Sequence, residues 1–325
     1  MSVAEHRFVQ TNGIKMHIAE QGQGPLVVLC HGFPETSYSW RHQVEPIAEA
    51  GCHVVVPDQR GYGRTDCPER TESYDILSLA ADMIGLVHAL GQSQAVVIGS
   101  DWGSVVAAHC ALLRPDIFKA VGLLSVPFLP RTWGKHRPTE FFKRMSRDKV
   151  FYQAYFQEPG KAEAELEADP RKSLLALLYS LSGDVPPERR WQHMLDPHKS
   201  LLESATVPEK LPPWITEKDL DTFVEDFRRT GFRGGLSWYR NIDRNWELTA
   251  FLSEARIQQP SIFLAGESDP ILSLYRDFGS QVQKSMPNLR ENVILKGVGH
   301  WLTQERPQEL NRHLLSFLGS ITNES

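Results

Sequence analysis

The sequence predicts an α/β fold: a mostly parallel, doubly wound sheet flanked by helices and interrupted once by a helical insertion. Three observations carry this. In the first third, short β-rich runs alternate with segments whose apolar residues recur at helical spacing, the pattern of parallel strands joined by crossover helices. After Pro127 the alternation stops, with no clear strand until Ser261. From Ser261 the strand pattern returns, and a helix closes the chain.

Phe8–Thr11 and Ile14–Glu20, split by Asn12-Gly13, read as an opening hairpin, because Asn-Gly suits a tight turn with positive φ. Leu26–Cys30, His53–Pro57, Ala95–Gly99 and Ala120–Val126 read as buried strands with Val-rich and Ile-rich faces. Between them, Tyr38–Ala50, Tyr74–Leu90 and Ser104–Leu113 read as helices. The middle of the chain is rich in Phe and Trp, carries charged helical patches and is punctuated by Pro186-Pro187 and Pro212-Pro213. It reads as a helical cap over residues 130–249, inserted between core segments 1–129 and 250–325. Ser261–Gly266 and Asn292–Leu295 then complete the sheet, and Pro307–Leu318 forms the closing helix. The acidic stretch Glu158–Asp169 reads as a solvated helix face.

Composition narrows the class. With 325 residues, 41% hydrophobic and 23% charged, the chain can bury a sizeable core. Its 35 basic and 40 acidic residues give a net charge of -5, which favours neither nucleic acid nor an anionic membrane as partner. The N-terminus lacks a basic start followed by an apolar run, and the longest apolar stretches fall far short of the roughly 20 residues that span a bilayer. A cytoplasmic protein, monomeric or homodimeric, is expected. The cysteines Cys30, Cys52, Cys67 and Cys110 show no CxxC pairing, so reduced and mostly buried thiols are expected, with no metal and no cofactor.

The stretch IGSDWGS, Ile98–Ser104, has the outline of a nucleophile elbow, a strained strand-to-helix turn with small residues two before and two after its tip. Gly99 and Gly103 bracket Asp101, whereas Ser104 would need Trp102 and Val106 as its small flanks. An aspartate here also suits a helix N-cap. Three further features favour chemistry. His31-Gly32-Phe33-Pro34 follows a strand, where the Phe33 N–H, with that of Trp102, would form an oxyanion hole. Asp269 ends the strand after the insertion, at the sheet's carboxyl edge. His300 stands in Gly297-Val298-Gly299-His300-Trp301 after the last strand; His109 and His193 have no such setting. The order Asp101, Asp269, His300 is that of nucleophile, acid and base.

A carboxylate is already an anion at neutral pH and can displace at an sp3 carbon without a base. The resulting ester is then hydrolysed by water that His300 activates, with Asp269 orienting the imidazole. Alkyl halides and epoxides both suit this scheme. An epoxide also needs a proton donor for its oxygen, and the insertion offers Tyr152 and Tyr239, for which aromatic packing is the plainer role. Phe33, Trp102 and Trp238 are the expected apolar walls of a substrate pocket.

With HGFP, the DWG elbow, Asp269, GHW, the segment YQAYFQEPGKAEAELE and the run WYRNIDRNWE, the chain resembles epoxide hydrolases of the α/β-hydrolase superfamily over nearly its whole length. The resemblance implies a mostly parallel eight-stranded sheet flanked by helices under a helical cap, and a small epoxide as substrate. It also implies Asp101 as nucleophile, His300 and Asp269 as the water-activating pair, Tyr152 and Tyr239 as donors to the epoxide oxygen, and a cis Phe33-Pro34 peptide. Ser100 and Ser104 depart from the family elbow, which commonly carries histidine and glycine there. Ser104 is shared with haloalkane dehalogenases, the alternative reading, but those commonly carry asparagine where Phe33 stands and lack the tyrosine pair. Fluoroacetate dehalogenases usually carry arginine where Trp102 stands. A non-enzymatic, ligand-binding hydrolase-like protein is the third reading, opposed by the complete set Asp101, Asp269 and His300.

Overall fold

Asn12 at φ 42° and Gly13 at φ 78° make the first turn, so that β1 (Glu5–Thr11) folds back on β2 (Ile14–Gln21) with Thr11 opposite Ile14. A computed structural model describes residues 4–131, 136–146, 148–275 and 278–322. The remaining sheet strands are β3 (Leu26–Cys30), β4 (His53–Pro57), β5 (Ala95–Ser100), β6 (Phe118–Leu124), β9 (Ser261–Gly266) and β10 (Leu289–Leu295). The strands lie in the order β1-β2-β4-β3-β5-β6-β9-β10, antiparallel at β1-β2 and β2-β4 and parallel elsewhere. β3 and β5 are buried along their whole length, which is why they read as unbroken apolar runs.

Alternate side chains of these strands feed two cores. Val28, Val97, Val121 and Phe263 face Leu79, Met83 and Val106 of the helices Ile76–Ala89 and Trp102–Leu113. Val27, Leu29, Ile98 and Leu264 face Ile47, Leu310, Leu314 and Phe317 on the other side. Strand order reverses at β3, with β4 on one side and β5 on the other. The loop after β3 and the turn after β5 therefore open at one crevice, where ligands bind in sheets of this kind.

Among the described residues, the segment between β6 and β9 adds no strand to the eight-stranded sheet. Its helices include Pro138–Met145, Lys161–Ala168, Pro170–Ser180, Glu217–Thr230, Arg233–Arg240 and Ile242–Leu248. It also holds the antiparallel pair β7 (Val150–Phe151) and β8 (Met194–Leu195), which corrects the strand-free reading. Two residues are too few for an alternation to register. The helix Phe278–Ser285 is likewise illegible, since Val282 is buried within it and the next buried apolar residue, Met286, already lies beyond its end.

The acidic stretch is not simply a solvated face. Glu163 pairs with Arg240 at 2.5 Å, Glu165 accepts from the Tyr155 hydroxyl and the Leu202 N–H, and Glu167 accepts from the Phe232 N–H at 2.8 Å. These carboxylates join helices that sequence spacing does not reveal as neighbours. Cys30, Cys52 and Cys110 are buried, Cys67 is half-buried, and all four are free thiols. No described helix is long and apolar enough to cross a membrane.

Candidate active site

The turn after β5 is too tight for side chains on its flanks. A Cβ on Gly99 would meet the Gly103 carbonyl oxygen at 1.9 Å, and one on Gly103 would meet the Cys30 carbonyl oxygen at 2.0 Å. Asp101, between them, is held at φ 53° and ψ −122°, a left-handed conformation unfavourable for a residue with a side chain. Its carboxylate makes no capping hydrogen bond to the helix that follows, so the N-cap reading fails. Ser100 is buried. The Ser104 hydroxyl accepts from the Leu124 N–H at 2.9 Å and lies 2.8 Å from the Gly99 carbonyl, tying the helix start to β5 and β6.

The loop after β3 approaches the same carboxylate. A Cβ on Gly32 would lie 2.4 Å from the Asp101 side chain, so only glycine allows this approach. The Phe33 N–H donates to Asp101 Oδ1 at 2.9 Å, and the Phe33-Pro34 peptide is cis. The Trp102 N–H opens a helix and so has no acceptor within it.

On the other side of Asp101, His300 Nε2 lies 3.4 Å from Asp101 Oδ2, and its Nδ1 lies 2.9 Å from Asp269 Oδ2. Asp269 Oδ1 accepts from the Ile271 N–H at 2.8 Å. Burial works against a charged imidazole, but the charges of Asp269 and Asp101 outweigh it and raise the His300 pKa well above the ordinary value.

Tyr152 and Tyr239 come from distant parts of the insertion, yet their ring centroids are 6.3 Å apart, and both line the space above Asp101. Burial, and for Tyr239 then the Asp101 charge, push both phenols well above their ordinary range, so both keep their protons at neutral pH. The Tyr152 oxygen accepts from Gln153 Nε2 at 2.8 Å.

Two chambers meet at Asp101, Tyr152, Tyr239 and Ile271. One, of about 40 Å³, runs toward His300 between Phe33, Leu181 and Trp191. The other, of about 240 Å³, runs past Trp102 and Tyr275. Phe33 and Trp102 are therefore chamber walls. Trp238 is not, which corrects the sequence expectation: it is fully buried behind Trp102, with ring centroids 6.0 Å apart, and its Nε1–H donates to the Arg60 carbonyl.

A family model described as alpha/beta hydrolase fold matches residues 25–307. Epoxide hydrolase A of Mycobacterium tuberculosis is 45% identical over 99% of this chain and 99% of its own length. The chain belongs to the epoxide hydrolase family. Among solved structures, an epoxide hydrolase from an endophytic Streptomyces superposes with a TM-score of 0.95 at 46% identity, covering 99% of this chain and 97% of that one. Epoxide Hydrolase A from Mycobacterium thermoresistibile gives 0.91 at 45% identity, covering 97% and 98%.

Around this epoxide hydrolase site stand groups that the sequence reading did not single out. Glu35, one residue beyond HGFP, is buried, accepts from Gln304 Nε2 at 3.0 Å and has its pKa raised to about 7 by burial. Glu305 accepts from the N–H groups of Gly299 at 3.0 Å and Trp301 at 3.1 Å, on both sides of His300. It also accepts from the Gly183 N–H at 2.9 Å, so one carboxylate joins the histidine loop to the insertion. The position of Glu35 beside the motif was the only available sign. Among the described residues no cluster of His, Cys, Asp and Glu is arranged to hold a metal.

Proposed function

We propose that this enzyme opens an epoxide through a covalent ester on Asp101. The observation that carries the reading is the position of the Asp101 carboxylate, between two buried tyrosines on one side and His300 on the other. Phe33 N–H holds Oδ1, which leaves Oδ2 to attack a ring carbon. The electron pair of the breaking C–O bond passes to the epoxide oxygen, which Tyr152 and Tyr239 stabilise and protonate. His300 then takes a proton from water as the hydroxide adds to Asp101 Cγ. Oδ1 becomes the oxyanion, held by the Phe33 and Trp102 N–H groups. On collapse the Cγ–Oδ2 bond breaks, the leaving oxygen takes the proton from His300 to give the vicinal diol, and the acid proton of the regenerated Asp101 carboxyl returns to the phenolate. Ester formation removes the Asp101 charge, which lowers the proton affinity of His300 at the step where it must act as a base. Asp269 keeps the imidazole oriented, with Nδ1 as its donor. In this scheme residues 130–249 act as the cap that carries the tyrosines, and residues 1–129 and 250–325 form the core that carries the Asp–His–Asp set.

Single turnover of styrene oxide in ¹⁸O-water, with enzyme in excess, should give unlabelled diol and place the label in Asp101. His300→Gln should stop at the ester, visible as added mass on the protein. Label in the diol of that first turnover would mean direct attack by water.

A further inference from the structure

The helix that starts after Asp101 also walls the passage leading away from it. Trp102, Val105 and His109 line the larger chamber, which continues into an outer groove of about 430 Å³ through shared walls at Val105, His109, Val126, Asn245 and Tyr275. Most of this wall is apolar. The Ser104 hydroxyl, the Thr249 hydroxyl and the Arg131 guanidinium have partners of their own.

Besides the Tyr275 phenol, the shared wall carries two polar side chains, His109 and Asn245. His109 Nδ1 lies 2.7 Å from the Val105 carbonyl. A carbonyl only accepts, so Nδ1 carries the hydrogen and Nε2 is left as an acceptor. Burial lowers the His109 pKa and keeps this neutral form at neutral pH. Asn245 Oδ1 accepts from the Ile76 N–H at 2.8 Å, which fixes the amide and leaves Nδ2 to donate. Neither Nε2 of His109 nor Nδ2 of Asn245 has a partner among the described residues.

We propose that His109 and Asn245 form a subsite for a hydroxyl group on the longer substituent of the epoxide. The hydroxyl donates to His109 Nε2 and accepts from Asn245 Nδ2. This rests on the epoxide-opening reading above. The chamber on the His300 side holds only about 40 Å³, so a long substituent takes the passage. His109 is eight residues along the helix from Asp101, about 12 Å at the α-helical rise, so the selected hydroxyl lies at the far end of an extended chain.

The test compares two terminal epoxides on a straight ten-carbon chain, one ending in a hydroxyl and one in a methyl group. An apolar passage without a polar subsite favours the methyl end, so a preference for the hydroxyl is diagnostic. For two neutral hydrogen bonds, kcat/KM should favour the hydroxyl chain by about tenfold in the parent enzyme. His109→Phe removes the acceptor and should bring the ratio to one or below. Asn245→Asp keeps the acceptor for the Ile76 N–H but loses the donor, and should also lower the ratio. Because the measure is a ratio, a general loss of active protein cancels. A parent ratio near one, or a ratio unchanged in both variants, overturns the subsite while leaving epoxide opening intact. Turnover of neither chain, nor of styrene oxide, overturns the reading beneath it as well.

Discussion

His300 Nε2 lies 3.4 Å from Asp101 Oδ2, and the far nitrogen of the same ring lies 2.9 Å from Asp269 Oδ2. The imidazole is thus held by two carboxylates that differ in fate. Asp269 is closed off by its own hydrogen bonds, whereas in the proposed scheme Asp101 loses its charge on forming an ester. The proton affinity of His300 is raised by both, against the cost of burial.

Asp101→Asn reproduces that loss of charge without substrate. The His300 pKa should be lower in this variant than in the parent, because one of the two charges holding it up is gone while burial persists. Titration of the His300 ring by NMR measures it directly. An equal pKa in parent and variant would remove Asp101 from control of the base.

In the proposed scheme the tyrosines divide one task. Both phenols are buried, stand on the same side of Asp101 and keep their protons at neutral pH. Tyr152→Phe and Tyr239→Phe should each slow ester formation in pre-steady-state kinetics while leaving ester hydrolysis near the parent rate, because the second step uses His300. Removing one charge-assisted hydrogen bond costs about 1.5–3 kcal/mol, on the order of tenfold or more in rate, and the double variant should fall further than either single one. A double variant that alkylates at the parent rate would leave the pair a packing role.

The turn around Asp101 is legible because a tight strand-to-helix turn demands small residues at particular spacings. Gly99 and Gly103 bracket Asp101 for a steric reason: a Cβ on either would come within about 2 Å of a backbone carbonyl oxygen. The buried strands β3 and β5 read correctly because both faces are packed, and their only hydroxyl residue, Ser100, stands at the end of β5. What sequence could not reveal is which distant groups meet. Trp238 looks like a pocket wall beside Tyr239 in the chain, but successive helical residues point about 100° apart, and it faces Tyr62 and Arg60 instead. Glu305 ends the short helix Leu302–Glu305, and its link to Gly183 spans 122 positions. Glu163 and Glu167 read as solvated because their partners, Arg240 and the Phe232 N–H, lie far along the chain.

Stability toward acid depends on a carboxylate away from the reacting groups. Asp58 follows β4 and is almost fully buried, with Oδ2 at 2.7 Å from His17 Nδ1 and 3.0 Å from the Arg64 N–H, and Oδ1 at 3.0 Å from the Ser37 N–H. Burial opposes its charge, but these partners outweigh it and lower the pKa from 3.8 to about 2. A folded-state pKa below the unfolded value contributes stability above the unfolded pKa and loses it as pH falls through the folded one. By linkage the contribution is about 2 kcal/mol at neutral pH. Asp58→Asn should therefore lower unfolding stability by about that amount at neutral pH, and the gap between parent and variant should narrow as pH falls from about 4 toward 2. Urea unfolding of both proteins across that range measures the gap, and equal stabilities at neutral pH would contradict the assignment. Because Ser37 belongs to the loop that presents the Phe33 N–H to Asp101, the weakened variant should also hold that donor less firmly, and ester hydrolysis should slow with it.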